Sequence, residues 1–346
     1  HLKERLGATR IVLPQLPVIP LGLHCEDFAF TSRERDTARA SIGASPNTVV
    51  VLFMGRLSFH AKAHPAAMYR ALAEARRQAP GDVMLVECGW HANDYIRDAF
   101  TEGAREIAGV PTVTLDGRDA GQRQTAWAAA DIFCSLSDNI QETFGITPIE
   151  AMAAGLPVVV SDWDGYRDTV QDGTDGFRIP TIMPAGGMGT DLAARHALQI
   201  DTYDMYCGYT SSLVGVDVGA ATEALIKLIR EPETRARMGA AGQSRAKTQY
   251  DWSVIIPQYE ALWERLAERR GVIGTRETDP GTGWPARPDP FDVFRSYPSR
   301  TLQPDTPLAL VDETADIALT RFQRYQSLAM VKFAQAMLPN QGEVGE

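Results

Sequence analysis

No apolar run in this 346-residue chain approaches the roughly 18 to 20 residues that cross a bilayer as a helix. Stretches such as VVVLFM at 49–54 are strand-sized. No charged-then-apolar leader opens the chain either, and its first residue is His1, not Met, so a truncated or processed fragment is expected. The four cysteines, Cys25, Cys88, Cys134 and Cys207, form no C-x-x-C pair. That spacing argues against a zinc ribbon or a redox dithiol, and three of the four lie in or beside apolar runs. They are read as reduced core thiols of a cytoplasmic protein. Basic residues are in deficit, 34 against 44 acids, for a net charge of −10. Phosphate neutralisation along a nucleic acid needs clustered Lys and Arg, so no nucleic-acid partner is expected. Internal repeats and low-complexity blocks are also absent from the sequence.

What remains is a globular composition, 44% hydrophobic and 23% charged, with a strong alternation from Thr48 to about Gln249. Short β-branched runs (48–55, 82–89, 111–117, 131–137, 157–162 and DGFRIP at 175–180) alternate with helical patterns (65–79, NDYIRDAFTEGAREI, 122–130 and a short one around YRDTV). The runs are apolar without strict alternation, as parallel strands covered on both faces require. The expected fold is therefore α/β, an open, doubly wound parallel sheet that binds ligands at the carboxyl ends of its strands.

Residues 181–217, rich in Gly, Met and Tyr, interrupt the rhythm and are read as an insertion. It is either a lid or partner surface, or a packed excursion with its own short helix. Two helices broken at Glu231-Pro232 follow, then a helix over 252–270 that continues past Pro257. Residues 271–311 are Pro-, Gly- and Asp-rich and read as a linker. A final amphipathic helix is expected over 312–338, with Leu319, Phe322, Tyr325, Leu328, Met330 and Phe333 on one face.

The densest chemistry lies in QETFGITPIEAMAAGLPVVVSD, where Glu142 and Glu150 flank a glycine and a proline. T-P-I-E at 147–150 has the form of a capping box, with Thr147 as N-cap and Glu150 at N3; Gly155 then ends the helix before Pro157. On that reading Glu150 is structural and Glu142 is a solvated loop acid. A second reading is compatible with the first. The amides of Phe144, Gly145, Ile146 and Thr147 would converge at a helix start that favours an anion, and Gly145 lets the backbone approach closely. A diphosphate would fit there, with a carboxylate on each side accepting sugar hydroxyls.

These residues resemble the nucleotide-sugar motif of glycosyltransferase family 4, retaining enzymes of GT-B fold. The family's pattern is Glu, seven residues, Glu, a short Ala-rich helix, Gly, Pro, a valine strand and a DG-x-x-G turn. Glu142, Glu150, Gly155, Pro157, Asp172-Gly173 and Gly176 match it. VIPLGLHCEDF at 18–28 is similar to the family's interdomain linker, and VVVLFMGRLSFHAKAHPAAMYRAL at 49–72 to the first strand of its donor domain. The resemblance, over about 16–265, implies the Rossmann-like half of a GT-B fold with a C-terminal linker and extra helix.

It further implies a nucleotide-diphosphate sugar as donor and a saccharide or lipid acceptor. Arg56 and Lys62 would grip the leaving diphosphate near Gly55, Glu142 would hold the sugar beside Thr143, and Glu150 would bind ribose. The nucleobase would lie near Gly117 and Arg118. No cofactor or metal is implied, and D-W-D at 162–164 is read as a loop.

Departures from the family pattern include Thr143 where many members have Gly, and CGWHAND at 88–94. The implied layout is 1–27 as the end of an N-terminal half plus linker, 28–270 as donor domain, 271–311 as linker, and 312–346 as helix and tail. An acceptor-binding half on a missing segment or a partner chain is expected. Alternatives are a non-catalytic nucleotide-sugar binding or interaction module, and a GT-B-fold epimerase or phosphorylase.

Overall fold

Valine-rich segments bounded by glycine and proline build the centre of the molecule. The computed structural model describes residues 9, 15–79, 81–273, 305–307, 314–326 and 331. Six strands pair in parallel: β1 (Val49–Met54), β2 (Val83–Gly89), β3 (Thr112–Asp116), β4 (Ile132–Ser135), β5 (Val158–Ser161) and β6 (Gly176–Ile179). Their order is β3-β2-β1-β4-β5-β6. The chain thus winds outward one way from β1, then returns to its other side with β4. In a doubly wound sheet such a reversal is where a ligand crevice forms, outside the carboxyl ends of the strands.

Side chains of successive residues feed opposite faces. Val50, Leu52 and Met54 pack with Trp127, Phe133, Ile149 and Met152, under α1 (Ser32–Ser41), α4 (Ala120–Ala129) and α5 (Ile146–Ala153). Val51 and Phe53 pack with Tyr69, Leu72, Phe100, Leu225 and Leu228, from α2 (Ala66–Gln78), α3 (Asp94–Gly103) and α9 (Val218–Arg230). Burial on both faces explains why the strands carry continuous rather than alternating apolar residues. α6 is the short turn Tyr166–Thr169.

The expected helix pair appears as α9 and α10 (Pro232–Arg245), and α11 (Trp252–Ile273) runs through Pro257 as read. The 18–28 segment docks against the start of α11. The amide of Leu23 donates to Tyr250, that of Trp252 donates to Leu23, and Gly22 lies where any Cβ would press on the Trp252 indole.

The 181–217 insertion carries two helices where one was read: α7 (Thr190–Ala197) and α8 (Tyr203–Ser211). They rise from an antiparallel pair, β7 (Thr181–Ile182) and β8 (Gly215–Val216). Thr202 and its short hydroxyl cap start the second helix by accepting from Met205, a stop-and-restart that the mixed Gly/Met/Tyr composition hid. Buried Asp201 closes the first by taking two hydrogen bonds from Arg195, each 2.7 Å.

By its internal contacts the chain divides into two units, 1–268 and 269–346. In the second, α12 spans Ala315–Gln326. Most of the rest of the helix read over 312–338, including Leu328, Met330 and Phe333, lies outside the described residues, as does nearly all of the 271–311 linker.

One buried acid sits within the sheet. Glu87 of β2 is 2% exposed and takes a hydrogen bond from the Tyr69 hydroxyl. Desolvation pushes its carboxyl up to about 7. Its folded value therefore lies above the unfolded one of about 4.3, so the folded state holds the proton more tightly. Its contribution is full below about 4.3 and is lost as pH rises through about 7. Glu87→Gln keeps an acceptor for Tyr69. It should raise the melting temperature at pH 8, by on the order of 1–3 kcal/mol of stability, with little change at pH 4.

Candidate functional site

The loop after β1 turns at Gly55, whose φ is +155°. Its amide donates to Cys88 of β2, and Gly89 packs so closely on the Gly55 carbonyl that a Cβ there would clash. Arg56 is exposed and closes the same loop by donating to the Ala61 carbonyl at 2.9 Å. Six residues on, Lys62 runs beside Gly55 and forms an ion pair with Glu142, which is 6% exposed. Lys62 follows β1 and Glu142 follows β4, so the pair bridges the crevice at the strand reversal.

Polar groups of the loops hold this bridge. Asn139 donates its side-chain amide to the His60 carbonyl at 2.9 Å, and Ser137 donates to the Lys62 carbonyl. Trp163 donates its indole N–H to the Asn139 carbonyl at 3.1 Å. Asp138, buried against the His64 amide, is pushed up to about 7 by desolvation. The insertion reaches this loop too, because Gly208 of α8 lies against His60, where a Cβ would be 3.0 Å from the His60 Cβ.

The helix after Glu142 begins earlier than T-P-I-E suggests. Gly145, with φ +81°, is the N-cap, and α5 starts at Ile146. Thr147 is therefore inside the first turn and makes no capping bond, and Glu150 lies beyond N3; the capping box does not form. Two features permit the early start. Gly145 takes a left-handed conformation at no cost, and Pro148 falls in the first turn, where its missing N–H would have had no acceptor. A capping box does form at Thr31 and Glu34, which start α1, a helix not anticipated from sequence. The end of α5 is as expected: Gly155, φ +76°, donates to Met152 and Leu156 donates to Ala151, a Schellman ending.

The consequence for the site is a set of free donors. The amides of Phe144, Gly145, Ile146 and Thr147 have no protein acceptor among the described residues. Thr143 is exposed beside them, with its carbonyl pressed against Gly165. Glu150 is half-buried, and desolvation pushes its carboxyl up to about 6, against an opposing pull from Arg123.

Arg123, whose charge opposes that rise, donates to the Gly117 carbonyl at 2.7 Å in the turn after β3. In that turn the Gly117 amide donates to Gly89 at 2.7 Å. Arg118 is exposed and forks onto Asp116, its amide donating there as well. The glycines explain how close these strand ends come: a Cβ on Gly117 would lie 2.8 Å from the Gly89 Cα.

Of the twelve residues named from sequence, an ion pair joins Lys62 and Glu142, with Gly55 beside the Lys62 stem. Phe144, Gly145, Ile146 and Thr147 are consecutive on the α5 start just beyond Glu142, with Thr143 between. Arg56 lies on the rim, held by its own loop. Glu150, Gly117 and Arg118 form a second group next to Arg123. Sequence reasoning missed Ser135, Asn139, Arg123 and Tyr166. Only Tyr166 had a possible signal, as an aromatic directly after a glycine in the D-G-Y turn.

Residues 48–187 match the family model of Glycosyl transferases group 1. Among curated proteins, the chain is 29% identical over 264 residues to a phosphatidyl-myo-inositol mannosyltransferase of Mycobacterium tuberculosis, covering 76% of this chain and 56% of that one. It is 32% identical over 206 residues to a D-inositol 3-phosphate glycosyltransferase of Nocardia farcinica, covering 58% and 44%. The chain thus spans roughly half the length of the curated relatives it matches.

Among solved structures, sucrose-phosphate synthase from Thermosynechococcus elongatus superposes with TM-score 0.51 at 20% identity, over 75% of this chain and 54% of that one. WaaG, a glycosyltransferase involved in lipopolysaccharide biosynthesis, gives 0.50 at 19%, over 70% and 55%. These two likenesses speak to the fold, the Rossmann-like half. Among the described residues, no helix is long and apolar enough to cross a membrane.

The ion pair invites a direct test. Lys62→Ala strands Glu142 in a buried position and should cost about 1–3 kcal/mol of stability in denaturant titration. The double variant Lys62→Ala with Glu142→Gln should recover most of that loss. A double-mutant cycle with no coupling would contradict the bridge.

Proposed function

We propose that this chain is the donor-binding half of a retaining glycosyltransferase that takes a sugar from a nucleotide-diphosphate carrier. The observation that carries the reading is the Lys62–Glu142 bridge at the strand reversal, immediately before four unpaired amides at the start of α5. An ammonium has three protons. One meets Glu142, leaving two for a diphosphate lodged at the 144–147 amides. Lys62 thereby screens Glu142 from the phosphate charge, so a carboxylate and an anion can share the crevice.

As the anomeric carbon–oxygen bond breaks, negative charge grows on the leaving phosphate. Fixed amides, the α5 dipole and Lys62 stabilise that charge more than the ground state, which lowers the barrier. Arg56 supplies further positive charge from the rim. Glu142 takes sugar hydroxyls, and Glu150 takes ribose hydroxyls beside Arg123. The base lies at the Gly117–Arg118 turn, where both amides are committed and the Gly117 carbonyl takes Arg123, leaving the Arg118 carbonyl to read its edge.

The matched relatives' names support sugar transfer as the reaction class. A saccharide or lipid acceptor would be held by a second half, in the same longer chain or on a partner. Four free, buried thiols support a reducing, cytoplasmic setting. The reading assigns the cationic role to side chains and uses no metal, so donor binding should persist with a chelator present.

Calorimetric titration with uridine, guanosine and adenosine diphosphates and their sugars tests the proposal. One diphosphate should bind, and Lys62→Ala should weaken it by about tenfold or more. If none of the series binds, or if the variant binds as well as the parent, the donor site is misassigned.

A further inference from the structure

Tyr166 opens α6, directly after Gly165, and its side chain is fully buried beneath the Glu142 loop. The hydroxyl donates to Glu142 Oε2 at 3.3 Å and lies 3.0 Å from Ser135 Oγ at the end of β4. Burial and the neighbouring Glu142 charge push the phenol well above its ordinary range, so it keeps its proton. With its own proton directed at the carboxylate, the phenol oxygen accepts from the serine hydroxyl. The chain of bonds therefore runs Ser135, Tyr166, Glu142.

The ring does separate work. Gly145 sits on it so closely that a Cβ would clash, and Gly165 presses against Thr143 and Phe144 in the same way.

We infer that Tyr166 is a positioning residue for the donor site, holding the Oε2 edge of Glu142 so that Oε1 faces the sugar. The inference rests on the donor-site reading above. Glu142 Oε2 is shared by two donors, Lys62 Nζ from the loop after β1 and the Tyr166 hydroxyl from the start of α6. The remaining oxygen has no protein partner among the hydrogen bonds of the described residues. A carboxylate clamped by one edge has lost its rotation about χ3, so a hydroxyl meets an acceptor already aimed. That preorganisation bears on the sugar, and leaves the diphosphate and base contacts alone.

Tyr166→Phe separates the two roles, because it keeps the ring under Gly145 and removes only the hydroxyl. The full chain would be titrated with uridine diphosphate and UDP-glucose, and with guanosine diphosphate and GDP-mannose, using whichever pair the parent binds. Affinity for the free diphosphate should stay within about twofold, while affinity for the sugar-bearing form falls roughly tenfold. Ser135→Ala, which loosens the phenol without touching the ring, should give a smaller loss in the same sense.

In a Glu142→Gln background, Tyr166→Phe should have a much reduced effect. An unchanged ratio of the two affinities in both single variants overturns the inference. So does an equal loss for diphosphate and sugar form, which would make Tyr166 a scaffold residue only. Absence of binding by the parent to any diphosphate instead strikes the donor-site reading itself.

Discussion

Parallel pairing of β1 with both β2 and β4 is the constraint on which the rest depends. Parallel strands leave all their carboxyl ends on one side, and their partners must be reached by crossovers through helices on the faces. Because β4 joins β1 on the side opposite β2, the loops after β1 and β4 meet at the strand reversal and bond to each other there. The groups of the candidate site follow the carboxyl ends of the strands: Gly55, Arg56 and Lys62 after β1, Gly117 and Arg118 after β3, and Glu142 to Glu150 in the loop after β4 and the helix it leads into. Their spacing along the chain is irrelevant once the sheet has formed.

The crevice is kept in shape by close backbone approach as much as by hydrogen bonds. Gly89 lets the β1 and β3 turns come together, Gly145 seats on the Tyr166 ring, and Gly165 fits under Thr143. None of these positions tolerates a Cβ without movement. Buried polar groups finish the arrangement, since Asn139, Ser137, Trp163 and Tyr166 each donate to a loop carbonyl or carboxylate. Rigid glycine contacts and a satisfied polar network suit a site that must hold donors fixed while charge moves on a ligand.

The two T-x-x-E patterns show how local signals and tertiary context part company. Thr31 and Glu34 make a capping box because nothing upstream offers a better start for α1. Thr147 and Glu150 have the same chemistry, yet Gly145 begins the helix two residues earlier. The early start leaves the Phe144 to Thr147 amides without protein partners and moves Glu150 into the helix body. The insertion teaches the same lesson. Its composition marked a departure from the βα rhythm, but its two helices depend on Thr202 and on the Arg195–Asp201 pair, groups with no distinctive pattern.

The order of strands and helices was legible in the sequence because β-branched runs, proline, glycine and 3.6-residue periodicity are local properties of the chain. So were the residue types that suit a diphosphate and sugar hydroxyls, from Glu142 through Glu150 and at Arg56 and Lys62. Only the folded chain decided which of them touch. Lys62 and Glu142, eighty positions apart, become one ion pair because β1 and β4 are neighbours. Tyr166, Ser135 and Arg123 join the site for the same reason. Contacts between loops are set by strand order and backbone approach, and neither leaves a periodic trace along the sequence.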